Sequence, residues 1–160
     1  MKPTLQRFFD DYAADHRHPM NRLTHKIAIP LIVFHIVAML DWVKLPVPPV
    51  EIAGVVVHAS LGHVIYLAGV GWYLTLHVPL ALVMAVLMAA CFPLGAITPK
   101  PVVVGIAVVG WLVQLAGHSV FEKNRPAFVK NMLQALIGPL FFVAVVLGVY
   151  RPGYQPAPAA

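Results

Sequence analysis

Two short stretches far apart in the chain carry the side chains that could do chemistry. DHRHPMNRLTH supplies His16, His18, Asn21 and His25, and QLAGHSVFE supplies Gln114, His118 and Glu122. Imidazole and carboxylate ligands suit iron, zinc or manganese. A non-haem iron site needs about three of them and keeps positions open for substrate and O2. Gln114, His118 and Glu122 stand at i, i+4 and i+8, which lines them along one face of a helix. A plainer reading accounts for the same residues: His118 and Gln114 hydrogen-bond between helices, Asn21 caps a helix, and Glu122 pairs with Arg125 or Lys26. No compact H-x-x-H-H or H-E-x-x-H motif decides between the two.

The elements that must position these groups are membrane helices. Of 160 residues, 60% are hydrophobic and 11% charged, against about a quarter charged in ordinary globular chains. The net charge of +5 comes from basic residues flanking apolar segments, not from a patch interleaved with exposed aromatics. That excludes nucleic acid as a partner and points to the lipid bilayer. Residues 52–74, 78–97, 102–121 and 132–150 contain no Asp, Glu, Lys or Arg, and each approaches the roughly 20 residues that cross a bilayer as a helix. A fifth span over 24–42 has a shorter uncharged core, from Ile27 to Leu40, and a kink is expected at Pro30.

The fold class is therefore all-α, a polytopic transmembrane bundle of four or five spans. With five, Lys2, Arg7, Arg17, Arg22, Lys26, Lys123, Arg125 and Lys130 collect on one side and Lys44, Lys100 and Arg151 on the other. This places the N-terminus on the cytoplasmic side of an inner or cytoplasmic membrane. Ahead of the spans, Leu5, Phe8, Phe9, Tyr12 and His16 form one stripe, predicting an interfacial helix that ends near His18, before Pro19. Acidic residues Asp10, Asp11 and Asp15 are foreign to the n-region of a cleaved signal peptide, so the first apolar segment should be retained. Residues 1–150 read as a single domain and 151–160 as a disordered Pro/Ala tail. The lone Cys91 offers neither a disulfide nor a metal motif.

Both polar clusters thus arrive at one leaflet, where polar side chains are costly unless they face a partner or a cavity. His35, His58 and His63 fall inside spans and read as interhelical hydrogen-bonding residues, and His77, before Pro79, as a loop residue. His58 and His63 are five apart and cannot share a metal on one helix face. Trp42, Trp72 and Trp111, with Tyr66, Tyr73 and Tyr150, read as belt and packing residues. Three functional classes remain: a metal-dependent enzyme, a non-enzymatic membrane protein such as a transporter subunit or assembly factor, and a bis-histidine haem protein.

The stretches YAADHRHPMNRLTHKIAIPLI, WLVQLAGHSVFEKNRPAF and LIGPLFF resemble the Mpo-like family of 2-hydroxy fatty acid dioxygenases. The likeness covers about residues 8–31 and 111–142 and is weak between them. It implies an Fe(II) cofactor, O2 and a 2-hydroxy fatty acid as substrates, and loss of one carbon, a step of fatty acid α-oxidation in phytosphingosine breakdown. His16, His25 and His118 fall on the family's motif histidines, which implies that they bind the iron. Asn21, Gln114 and Glu122 also match motif positions, as candidates for a fourth ligand or for supporting the ligands. His18, His35, His58, His63 and His77 match none. A 2-hydroxy acid presents a carboxylate and a hydroxyl side by side, a chelating pair, which would account for a need for the 2-hydroxyl. Arg22, Lys26, Arg125 and Lys130 are candidates to attract its carboxylate to the interface.

Overall fold

A computed structural model describes residues 1–52, 54–123 and 131–153. Arg125, Lys130 and the tail beyond 153 lie outside the described residues. Six helices make up the described chain: α1 (Pro3–Ala14), α2 (Pro19–Asp41), α3 (Leu61–Leu76), α4 (Val78–Ile97), α5 (Lys100–Ala116) and α6 (Leu133–Val146). The end of α5 widens into a π-helical turn over Gly117–Glu122. A two-stranded hairpin, β1 (Val50–Ile52) and β2 (Val55–Val57), pairs antiparallel between α2 and α3.

Three stretches are long and apolar enough to cross a bilayer: α2, α4, and α5 continued through its π turn. The least certain segment of the sequence is thus a 23-residue helix. Its polar first turns, not its apolar core alone, supply the length. Pro30 sits inside that helix without ending it. The expected span over 52–74 begins later, at Leu61, because the preceding EIAGVVV folds as the hairpin. Its β-branched valines favour strand, and Gly54 takes φ 79° in the turn.

Much of the bundle's outer surface is apolar, while a set of polar side chains is held inside. Leu67, Val86, Ile97 and Leu112 are exposed, as lipid-facing side chains must be, whereas His16, Asn21, His25, Gln114, His118 and Gln134 are buried. α2 packs most extensively on α5 and next on α4. Gly117 permits the closest of these approaches, since a Cβ there would collide with Thr24 Oγ1 and Asn21 Oδ1 of α2.

α1 ends at Ala14, four residues short of the expected His18. Pro19 starts the next helix at its first turn, and His18, not Asn21, is the cap, its Nδ1 accepting from the Met20 amide at 3.1 Å. The apolar stripe of α1 is covered by protein. Phe9 and Tyr12 lie against Phe141 of α6 with ring centroids 5.5 and 4.8 Å apart, and the Tyr12 ring lies over Gly138.

α6 departs most from the expected span over 132–150. Its 14 residues rise about 21 Å, short of the ~30 Å hydrocarbon core. Both its ends are tied to the face that carries α1. Near the start, Tyr73 Oη donates to the Leu136 carbonyl at 2.6 Å, beside the α3 end where Lys2 Nζ reaches the Thr75 carbonyl. Past the far end, Tyr150 Oη donates to Asp10 of α1 at 2.7 Å. Asp41, Ser60 and Lys100 gather at the opposite face, with Lys100 Nζ 5.3 Å over the Trp42 ring. Arg151 therefore belongs with the N-terminal face, strengthening the charge asymmetry. Single cysteines at Ala14 and Arg151 are expected to react with an impermeant maleimide from the same side of sealed vesicles, and one at Val47 from the other. Labelling of Ala14 and Arg151 from opposite sides would overturn this topology.

Candidate metal centre

Two helical segments and the link between α1 and α2 deliver one imidazole each to a buried point beneath the N-terminal face. His16 hangs from the link between α1 and α2, His25 from the second turn of α2, and His118 from the π turn. All three are buried, and their nearest ring nitrogens lie within 4.8 Å of one another. The shortest separations are His16 Nε2 to His25 Nε2 and His25 Nε2 to His118 Nε2, each 3.1 Å.

Backbone carbonyls fix the tautomers of two of the rings. His16 Nδ1 donates to the Tyr12 carbonyl at 2.6 Å, and His25 Nδ1 to the Asn21 carbonyl at 2.8 Å. Each acceptor lies four residues earlier, so the geometry of the chain orients the ring. With hydrogen on Nδ1, the Nε2 of each neutral ring carries a bare lone pair. The 3.1 Å approach of His16 Nε2 to His25 Nε2 then sets two acceptors face to face. A hydrogen on His118 could close its own contact with His25 but not that one. A cation can close both 3.1 Å contacts: ligand nitrogens about 2.0–2.1 Å from a divalent ion are about 3 to 3.4 Å apart. The donor set therefore fits a transition-metal ion. Burial holds the His16 imidazole below the usual histidine range, and Arg22 adds to that lowering against the Tyr12 carbonyl, Asp15 and Glu122. The neutral form is the one that ligates.

Around the three rings are groups that hold them. The Gln114 amide nitrogen lies 2.7 Å from His25 Nε2 and donates to its lone pair as long as no cation takes it, so the amide must turn aside when His25 ligates, while Gln114 Oε1 is buried without a partner among the described residues. An unmet buried acceptor costs about 1–3 kcal/mol, so this oxygen, beside the rings, is available to an incoming ion or ligand. Glu122 is not among the converging ligands. The π turn takes it off the line of Gln114 and His118 that uniform α-helical spacing predicts, toward the start of α2. There its carboxylate accepts from the Arg17 amide at 2.7 Å, the His18 amide at 2.9 Å and Asn21 Nδ2 at 3.2 Å. Arg22 Nε donates to the His16 carbonyl at 2.8 Å. Together these bonds pin the link that carries His16.

The other histidines go elsewhere. His18 caps α2 and stacks near Phe121. His35 donates to the Leu31 carbonyl and accepts from Trp111 Nε1 at 3.3 Å. His58 is exposed ahead of α3, not inside a span. His63 contacts Ser60 and stacks on Phe92, and His77 caps α4 by accepting from Leu80. Gln134, a buried glutamine of α6 beside the cluster, escapes the sequence reading. Its signal there is an uncharged polar residue in an otherwise apolar run.

Known proteins support a kinship over the whole length of this architecture. A family model described as 2-hydroxy-palmitic acid dioxygenase Mpo1-like matches residues 3–150. The chain is 29% identical over 150 residues to the 2-hydroxy-palmitic acid dioxygenase MPO1 of Saccharomyces cerevisiae, an alignment covering 91% of this chain and 79% of the yeast protein. No solved structure matches it significantly. The family match extends through the middle of the chain, where the motifs alone are weak. Since it runs from the first residue of α1 past the end of α6 and takes in all three converging imidazoles, the chain belongs to the Mpo1-like family.

Proposed function

We propose that this protein is an Fe(II)-dependent dioxygenase that shortens 2-hydroxy fatty acids by one carbon, with His16, His25 and His118 as the iron ligands. The observation that carries this reading is the pair of ring nitrogens at 3.1 Å, His16 Nε2 and His25 Nε2, whose tautomers leave only lone pairs between them. The relative's name supplies the substrate class. Three neutral nitrogens leave coordination positions open, as O2 chemistry requires.

Ferrous iron bound there would supply the activation of O2 and the polarisation of the substrate's oxygens. The chain's own residues do the rest. A cavity of about 200 Å³ reaches His16 and His25 from the side of Arg22 and Lys26. These two cations receive the carboxylate at the interface, while Ile29, Phe141, Phe142 and Val145 wall the apolar part. Gln114, whose amide meets His25 Nε2 only in the absence of a cation, turns aside when the ring ligates and can present its free oxygen to the site. Glu122 holds the His16 link. By the asymmetry of basic residues, this face is cytoplasmic.

Purified protein in detergent, supplied with Fe(II), O2 and 2-hydroxypalmitate, should consume O2 and yield a product one carbon shorter. Stoichiometric iron without a Soret band is expected. A Soret band, or no metal and no turnover, would overturn the proposal.

The ligand assignment predicts that His25→Ala and His118→Ala each abolish bound metal, whereas His58→Ala and His77→Ala keep it near wild type. Metal analysis of folded protein checks this, and loss of metal from His58→Ala would refute it. Glu122→Gln should keep measurable iron and lose about 10- to 100-fold in affinity or turnover, the usual effect of removing a group that orients a ligand. Complete loss of iron in a folded Glu122→Gln protein would instead make Glu122 a ligand.

A further inference from the structure

His16 also borders a second, smaller cavity of about 90 Å³, lined by α2, α5 and α6 without Arg22 or Lys26. It shares Tyr12, His16 and Ile29 with the first, so the two adjoin across the histidine cluster. Its walls are apolar, formed by Ile32, Val33 and Ile36 of α2 with Trp111 of α5, except where His118, Gln114 and Gln134 enter.

Gln134 is the residue that neither the fold nor the ligand set accounts for. It is buried, in the first turn of α6 at a depth where its neighbours are apolar, and its Oε1 has no partner among the described residues. Such an oxygen costs about 1–3 kcal/mol unless something donates to it. An amide oxygen can only accept. A carboxylate, an alkyl chain and a 2-oxo group offer it nothing, whereas a hydroxyl does.

We propose that Gln134 determines specificity for the 2-hydroxyl, its Oε1 accepting the hydroxyl hydrogen of the substrate. The carboxylate then lies toward Arg22 and Lys26, C2 passes the histidine cluster, and the alkyl tail follows Ile32, Val33 and Ile36 toward the lipid. This inference rests on the dioxygenase reading for the identity of the substrate. It adds the residue that separates a 2-hydroxy acid from its unsubstituted parent. A site built to receive a substrate hydroxyl discriminates strongly against the analogue lacking it, because the buried acceptor is then left unpaired.

The test is binding of 2-hydroxypalmitate and of palmitate to the metal-free full chain in lipid nanodiscs, where no ion contributes to recognition of the hydroxyl. Wild type should prefer 2-hydroxypalmitate by about 10- to 100-fold. Gln134→Met, which keeps length and removes the acceptor, should bring the two affinities together while iron uptake on reconstitution stays at wild-type stoichiometry. In the iron-loaded enzyme the same variant should raise KM for 2-hydroxypalmitate, with palmitate becoming a better competitor. If Gln134→Met fails to fold, Gln134→Asn takes its place, and its withdrawn acceptor should give intermediate discrimination. Retention of the wild-type preference in the folded variant, or equal binding of both acids by a wild type that still turns over 2-hydroxypalmitate, would overturn the inference and leave the dioxygenase reading standing. Absence of turnover by iron-loaded wild type would overturn that reading itself.

Discussion

Two lone pairs held face to face are the constraint on which the rest of this structure depends. His16 and His25 cannot relieve their 3.1 Å contact by exchanging tautomers, because each Nδ1 hydrogen is committed to a carbonyl four residues back. Rotating either ring would break that bond. The backbone therefore stores an arrangement that is poor for an empty pocket and good for a cation. Second-layer hydrogen bonds to backbone carbonyls serve this purpose in metal sites generally, setting both the tautomer and the direction of the ring.

Holding that arrangement takes contributions from every part of the N-terminal face. The link between α1 and α2 is held by Glu122, which arrives from more than a hundred residues away in sequence and accepts two of its amides. The wider π turn makes this possible by letting one segment send His118 to the cluster and Glu122 to the amides at the start of α2. π turns recur at functional sites for such reasons. α1 is fixed from the other side by Phe9 and Tyr12 against α6, with Gly138 leaving room for the tyrosine ring. The Tyr12 carbonyl that orients His16 is thus anchored by the same residue's side chain.

How much of this was legible in the sequence follows from which physics each feature obeys. The polar cluster was visible because ligand chemistry is written in residue type, and because span counting puts residues 16–25 and 114–122 at one depth; singling out His16, His25 and His118 within it came from the family resemblance. The role of Glu122 was hidden, since i, i+4, i+8 spacing presumes an unbroken α-helix and nothing in GHSVFE announces the wider turn. Hydropathy likewise measures the cost of leaving lipid, not the direction of a helix. A segment buried under α1 and against α4 is as apolar as one that crosses, so α6 read as a span. The correction was nevertheless present in its polar residues, because Gln134 and Tyr150 need protein partners or ligands that lipid cannot provide. The hairpin was missed for a related reason: valine runs serve strand and membrane helix alike, and Gly54 was the discriminating residue.

The location of the site suits the proposed substrate as much as the proposed ligands. A long-chain 2-hydroxy acid partitions into the bilayer with its carboxylate at the headgroup level and its tail in the hydrocarbon. A soluble enzyme would have to extract it against about 0.8 kcal/mol for each methylene brought into water. A site just beneath the basic face would avoid that extraction for the proposed substrate, whose carboxylate would move only from lipid surface to Arg22 and Lys26, and whose tail only from lipid to an apolar wall. The same placement explains why polar groups are concentrated at one end of the bundle. At the interface water can solvate what the protein does not, whereas each additional polar atom below it must be matched by a protein group or by the substrate. Gln114 and Gln134 lie on that boundary with oxygens that no group among the described residues meets, the arrangement expected where part of the hydrogen-bonding shell is supplied by what binds.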